Sequence, residues 1–184
     1  RESRIQDGEG KTVEFKVELP NSNTLAKTII AFSNTGGGKL IIGVNDQGEI
    51  IGLEPDVNIF ELKDKVASII YETCYPTVLP DIYTTTIDDQ LLLIIEVYRG
   101  NLLPYYLKNK GKNEGVYIRV GATNRKASHE NILELERQRM NISFDQEANR
   151  EVELDSLDIS SLEGGFVRAG KVLDQPVMKN LKLV

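Results

Sequence analysis

Hydrophobic and polar positions alternate, then recur at helical spacing, then alternate again along the first 140 residues of this chain. Val13, Phe15 and Val17 share one face of a predicted strand over Lys11–Val17, with Glu14 and Lys16 on the other. Pro20-Asn21-Ser22 breaks that strand and caps a helix. Leu25, Ile29 and Phe32 recur at helical spacing and predict that helix over Asn23–Asn34. Gly36, Gly37 and Gly38 end it, because glycine accepts the left-handed conformation at a helix C-terminus. Leu40–Val44 then reads as a strand, Asn45–Gly48 as a turn and Glu49–Gly52 as the return strand of a hairpin.

A second helix is predicted over Ile59–Glu72, with Leu62, Val66, Ile69 and Ile70 inward. Pro76 and Pro80 frame an extended link, and Asp81–Ile87 with Leu91–Tyr98 forms a hairpin around Asp88-Asp89. Val116–Val120 is a short strand closed by Gly121. A last helix covers Ser128–Arg139, with Ser128 as N-cap and Glu130 in the first turn. The sum is an α/β (α+β) fold: a mixed twisted sheet of hairpins with about three packing helices. Residues 1–140 form this domain. Residues 141–184 have weaker periodicity and read as a connector that begins a truncated C-terminal module.

At 184 residues the chain suits one well-packed domain plus an appendage. Its longest apolar run, Leu91-Leu92-Leu93-Ile94-Ile95, is strand-sized, so no membrane partner is expected. Polar residues follow Arg1, so no secretory signal is read, and the absent initiator Met points to a trimmed start. Cys74 is the only cysteine and His129 the only histidine, which excludes an internal disulfide, a Cys- or His-based zinc site and a marked Ser/His/Asp triad. A lone cysteine fits a reducing, cytoplasmic setting. The net charge of −6 argues against a simple non-specific nucleic-acid binder. The distribution changes that picture. Asn45–Tyr98 carries eleven Asp/Glu against two Lys, while Arg99–Lys126 carries seven Lys/Arg against Glu114 alone. The second segment is a candidate phosphate-facing strip on an acidic body, or a solvated loop.

Three constellations offer chemistry. The glycines followed by Lys39 invite a nucleotide reading, but Leu40 replaces the required Ser/Thr and the order is helix then strand, so ATPase and helicase chemistry is not expected. They make a tight turn, and their amides beside Lys39 remain candidates to meet a phosphate. Glu9, Glu14 and Asp46 are candidate ligands for a divalent cation such as Mg²⁺ or Mn²⁺, which would activate water for phosphodiester cleavage. The bland account makes Glu9 a loop residue, Glu14 an outward strand residue and Asp46 a turn former. Around Tyr117–Lys126, Arg119, Thr123, Asn124, Arg125 and Lys126 are suited to phosphate. Tyr105, Tyr106 and Tyr117 are either stacking platforms for bases or packing residues.

Three blocks together carry a family resemblance. Gly8-Glu9-Gly10-Lys11-Thr12-Val13-Glu14-Phe15-Lys16, then Ala31-Phe32-Ser33-Asn34-Thr35-Gly36-Gly37 through Ile42-Gly43-Val44-Asn45-Asp46, then Gly115-Val116-Tyr117-Ile118-Arg119-Val120-Gly121 through Asn124-Arg125-Lys126-Ala127, stand in order. The chain resembles the Schlafen AlbA-like domain family over about residues 6–139. That resemblance implies an α/β DNA-binding domain of prokaryotic transcriptional regulators, joined to a C-terminal DNA-reading module. In the animal Schlafen branch it implies metal-dependent RNA cleavage, with the carboxylates falling on Glu9, Glu14 and Asp46 beside Lys16; Asn45 stands where that branch often has an acid.

The leading expectation is therefore a cytoplasmic DNA-binding domain of a transcriptional regulator, with no cofactor, no enzymatic activity, and DNA or RNA as partner; a homo-oligomer is compatible with it. Its contacts would come from Lys16, Lys39, Lys108, Lys110, Lys112, Arg119, Arg125 and Lys126. A divalent-metal-dependent endoribonuclease using Glu9, Glu14 and Asp46 is the alternative. A third is a protein-interaction domain that works through the acidic segment.

Overall fold

The computed structural model describes residue 5 and residues 7–168. Along them run β1 (Val13–Lys16), α1 (Ser22–Asn34), β2 (Gly38–Ile42), α2 (Ile59–Thr73), β3 (Cys74–Tyr75), β4 (Asp81–Ile87), β5 (Gln90–Val97), β6 (Tyr106–Leu107), α3 (Gly111–Glu114), β7 (Tyr117–Val120), β8 (Thr123–Lys126) and α4 (His129–Arg168). The fold is mixed α+β, as the pattern predicts. The main sheet has the order β1-β2-β5-β4. Only β1 and β2 are parallel, since α1 carries the chain between them; the other neighbours are antiparallel. β3 pairs with β6 and β7 with β8 in two small sheets.

The caps explain the helix starts. Asn21 Oδ1 accepts from Thr24 N at 2.9 Å, and Asn58 Oδ1 from Glu61 N at 3.1 Å. Ser128 Oγ accepts from Asn131 N at 3.1 Å while Asn131 Oδ1 accepts from Ser128 N at 3.0 Å, a reciprocal pair of the capping-box kind. β5 is buried on both faces from Leu92 to Ile95, which is why its sequence is a continuous apolar run rather than an alternation. On one face Phe15, Ile41, Val44, Leu92 and Ile94 cluster, with Ile5, Val13, Ile50 and Tyr83 packed against them. The alternate residues Leu40, Ile42, Leu93 and Ile95 are buried on the face toward α1, whose Leu25, Ile29 and Phe32 are also fully buried.

Besides the short β3, β6 and α3, which the pattern does not announce, the structure departs from the sequence reading at three places. Glu49–Gly52 forms no strand; only a bridge between Val44 and Ile50 remains. Asn45 Oδ1 takes the N–H groups of Gln47 and Glu49, and both Ile51 N and Gly52 N donate to Gly43 O, so the chain curls instead of laddering. Thr123–Lys126, read only for its phosphate-suited donors, is β8. The last helix does not stop at Arg139 but continues to Arg168. No glycine or proline lies between Arg139 and Gly164, so helix propensity sustains it after the apolar stripe fades. The chain divides into two compact units, Arg1–Arg139 and Met140–Val184. The described part of the second is the continuation of α4.

Candidate nucleic-acid interface

Arg119 sits at the centre of the first unit, on β7, with its side chain wholly buried. All five guanidinium N–H donors are engaged. Nε and Nη2 donate to Gly10 O (3.1 and 2.8 Å), Nη2 to Val13 O (3.1 Å), and Nη1 to Glu14 Oε1 (3.1 Å) and Asn124 Oδ1 (2.8 Å). Glu14 Oε2 accepts from Thr28 Oγ1 at 2.7 Å, and Thr28 Oγ1 accepts from Asn124 Nδ2 at 2.9 Å. Four side chains from β1, α1, β7 and β8 thus close a ring of hydrogen bonds. The guanidinium also lies 5.1 Å from the centroid of the Phe32 ring.

This ring reassigns two residues. Glu14 is buried rather than outward, because its strand face is the one covered by α1. Arg119 has no donor left for a phosphate, so its role is to hold the unit together.

The Asn34-Thr35 pair is the second clasp. Asn34 Nδ2 donates to Tyr105 O and Tyr117 O, both at 2.9 Å, and its Oδ1 accepts from Tyr105 N at 2.7 Å. Thr35 Oγ1 accepts from Arg119 N at 3.0 Å. The neighbouring glycines are required by space. Gly37 has φ +73°, and a Cβ there would lie 2.6 Å from Val97 O; a Cβ on Gly38 would lie 2.5 Å from the Phe32 ring. The turn is therefore architectural, as its tightness suggests. Only Gly36 in it is exposed.

Gly36 opens onto a groove. One hollow of about 350 Å³ is walled by Lys11, Thr35, Gly36, Arg99, Ile118 and the first turns of α4. A second, of about 380 Å³, shares Gly36 and Arg99 and adds Lys39 and Tyr98. Lys11, Lys39 and Arg99 are exposed here. Among the described residues Lys11 and Lys39 have no acidic partner, and Arg99 donates to Gln138 Oε1. The acids of the same walls are turned to their own partners. Glu134 accepts from Arg137 and Gln138, which hold its carboxyl down at about 2, and Glu96 accepts from Tyr83 Oη at 2.9 Å. Arg125 lies directly opposite Ile118 on the β7–β8 hairpin, hence on the hairpin face that borders the groove.

The other predicted cations are dispersed. Lys108 Nζ donates to Tyr71 O at 2.9 Å and rests over the Tyr71 ring; Lys112 pairs with Glu136 at 2.5 Å and Lys126 with Glu114. Lys110 is exposed beside α3, and Lys16 is half-buried on β1. Tyr105 is buried, Tyr106 packs on Tyr75 and Tyr117 lies under Lys27, so these rings are packing residues. The sequence reading names neither Lys11, which stands in the first motif block, nor Arg99, which it counts in the basic segment, among the contacts.

The carboxylates do not assemble. Glu9 Oε1 accepts from Phe15 N at 2.8 Å, Glu14 is committed to Arg119 and Thr28, and Asp46 is exposed at the tip of the 45–48 turn. Among the described residues no three His, Cys, Asp or Glu side chains are grouped to hold a metal ion. Glu9, Glu14 and Asp46 therefore do not fit a divalent cation in this arrangement.

A family model described as "Schlafen, AlbA_2" matches residues 9–128, about two thirds of the chain. The chain belongs to the Schlafen AlbA_2 family. The Schlafen AlbA_2 domain here is similar in fold to the DIP2311 protein from Corynebacterium diphtheriae, at 23% identity and a TM-score of 0.51, over 69% of this chain and 24% of that one. The chain thus spans about a quarter of that protein's length. It is also similar to the N-terminal domain of a RecG-related protein from Nitrosomonas europaea, at 23% identity and a TM-score of 0.47, over 67% of this chain and 86% of that one. No protein with a curated description matches. No helix among the described residues is long and apolar enough to cross a membrane.

Proposed function

We propose that this Schlafen AlbA_2 domain binds the phosphate backbone of nucleic acid along the groove at Gly36, as the DNA-binding part of a cytoplasmic transcriptional regulator of prokaryotic type. The observation that carries the reading is the convergence of the exposed Lys11, Lys39 and Arg99 on one open groove, where Glu134 is paired with Arg137 and Glu96 is hydrogen-bonded by Tyr83. Phosphate contacts require cations that are exposed and not spent on carboxylates. Arg125 extends the contact surface, while Lys108, Lys112 and Lys126 are engaged by Tyr71, Glu136 and Glu114, and Lys16 and Lys110 lie apart from the groove lining. The segment after residue 140 serves in this reading as the connector toward a DNA-reading module.

The test is binding of labelled duplex DNA and structured RNA, with Mn²⁺ or with EDTA. Lys39→Glu with Arg99→Glu is expected to weaken binding by tenfold or more, since each lost phosphate contact lowers both affinity and salt dependence. Unchanged affinity in that double variant overturns the placement. The separated carboxylates argue against cleavage, so products on a denaturing gel are expected to be the same with either additive.

A further inference from the structure

β4 is the outer strand of the main sheet, and beyond it the described residues place no other strand. Its seven residues pair with β5 in unbroken register from Asp81↔Glu96 to Ile87↔Gln90. Asp88 and Asp89, both at positive φ, make the two-residue turn of type I′, which sets Ile87 and Gln90 as a hydrogen-bonded pair. Antiparallel ladders alternate, so Thr85, Tyr83 and Asp81 also bond inward to β5, and the N–H and C=O groups of Ile82, Thr84 and Thr86 point out of the sheet. The same phase puts Leu91 O on the far side of β5, where it accepts from Leu53 N at 2.8 Å. No backbone bond from outside the sheet reaches Ile82, Thr84 or Thr86 among the described residues.

Three outward residues, evenly spaced about Thr84, make this edge its own complement. We propose that a second copy of this chain docks here, by antiparallel β4–β4 pairing about a two-fold axis at Thr84. Thr84 then exchanges both hydrogen bonds with Thr84 of the second copy, and Ile82 does so with Thr86 of the second copy. The usual guards against such pairing are missing: Ile82–Ile87 contains no charge, no proline and no bulge. Two-fold pairing therefore sets no like charges opposite each other at the axis. Asp81 falls opposite Ile87 of the second copy, with its carboxylate accepting from Tyr98 Oη at 3.1 Å. Apolar surface continues from the edge. A hollow of about 400 Å³ between α2 and β4 is lined by Ala67, Tyr71, Val78, Leu79 and Ile82, and Leu79 is 83% exposed.

The test is the mass in solution of the 184-residue chain, by light scattering and sedimentation, up to about 100 µM. A dimer is expected. Thr84→Pro removes the outward N–H and leaves the ladder to β5 whole. Thr84→Lys sets two ammonium groups against each other at the axis. Each is expected to weaken association at least about tenfold, with the circular dichroism spectrum unchanged. Should Thr84→Pro unfold the chain, Thr84→Lys alone decides. Thr84→Cys is further expected to give a covalent dimer with a short bis-maleimide, while the buried Cys74 stays silent. A monomer at the highest concentration overturns the proposal and leaves the edge for an extended segment of another protein. A dimer insensitive to both substitutions overturns it equally.

Discussion

A guanidinium whose five donors are all taken is fixed in position, and Arg119 donates to Gly10, Val13 and Glu14, more than a hundred residues earlier in the chain, and to Asn124 on the neighbouring strand. Truncating one member of a buried ion pair leaves the other charge without its partner. Arg119→Ala is therefore expected to cost about 3–5 kcal/mol in urea unfolding. Asn124→Ala, which removes neutral hydrogen bonds at the rim of the same ring, is expected to cost about 1–2 kcal/mol. Because both touch Glu14 and Thr28 through one network, the double variant should lose less than the sum. Cys74 gives a pH signature. Burial pushes its thiol up from 9.0 to about 11, against smaller opposing effects of Thr73 and Lys108. The folded protein holds that proton more tightly, so the contribution is complete below about pH 9 and is lost as pH rises through about 11. The urea midpoint of the wild type should fall across that window more than that of Cys74→Ala, and the folded thiol should resist alkylation at neutral pH.

Between α1 and β2 the turn depends on the absence of side chains. Gly38→Ala drives a Cβ into the Phe32 ring, and displacing a buried ring costs about 1–3 kcal/mol. The expected result is a lower melting temperature, with rescue by Phe32→Leu in the same chain, which shortens the obstructing side chain. Elements of this kind were legible in the sequence because a local signal specifies them. The cap at Asn21, the periodicity of Leu25, Ile29 and Phe32, and the Asp88-Asp89 turn each state their own structure. Three others were not legible. The return strand at Glu49–Gly52 lost to side-chain bonds from Asn45, β8 is polar because it borders the surface and the ring, and α4 runs on without an apolar stripe. The candidate site was legible in part. Lys39 and Arg125 were found from basic patterning, whereas burial of Arg119 depends on Glu14, 105 residues earlier, and spacing does not reveal that pairing.

Over the whole molecule, the net charge of −6 confines any attraction for nucleic acid to a local field. Few cations line the groove, so the salt dependence of binding is expected to be shallow, with a slope corresponding to about three or four released counterions. A much steeper slope would mean that Lys108–Lys126 takes part as well. Wild type and Lys39→Glu with Arg99→Glu, titrated between low and moderate salt, distinguish the two surfaces. The clasp at Asn34-Thr35 has one more consequence. Asn34 and Thr35, within the residues matched by the Schlafen AlbA_2 family, join α1 to β7 and to Tyr105, and they are buried or half-buried. Lys11, Lys39 and Arg99 take no part in that joint, so substitutions in the groove leave its hydrogen bonds in place. What the groove meets can therefore be altered by substitution there without loosening the clasp.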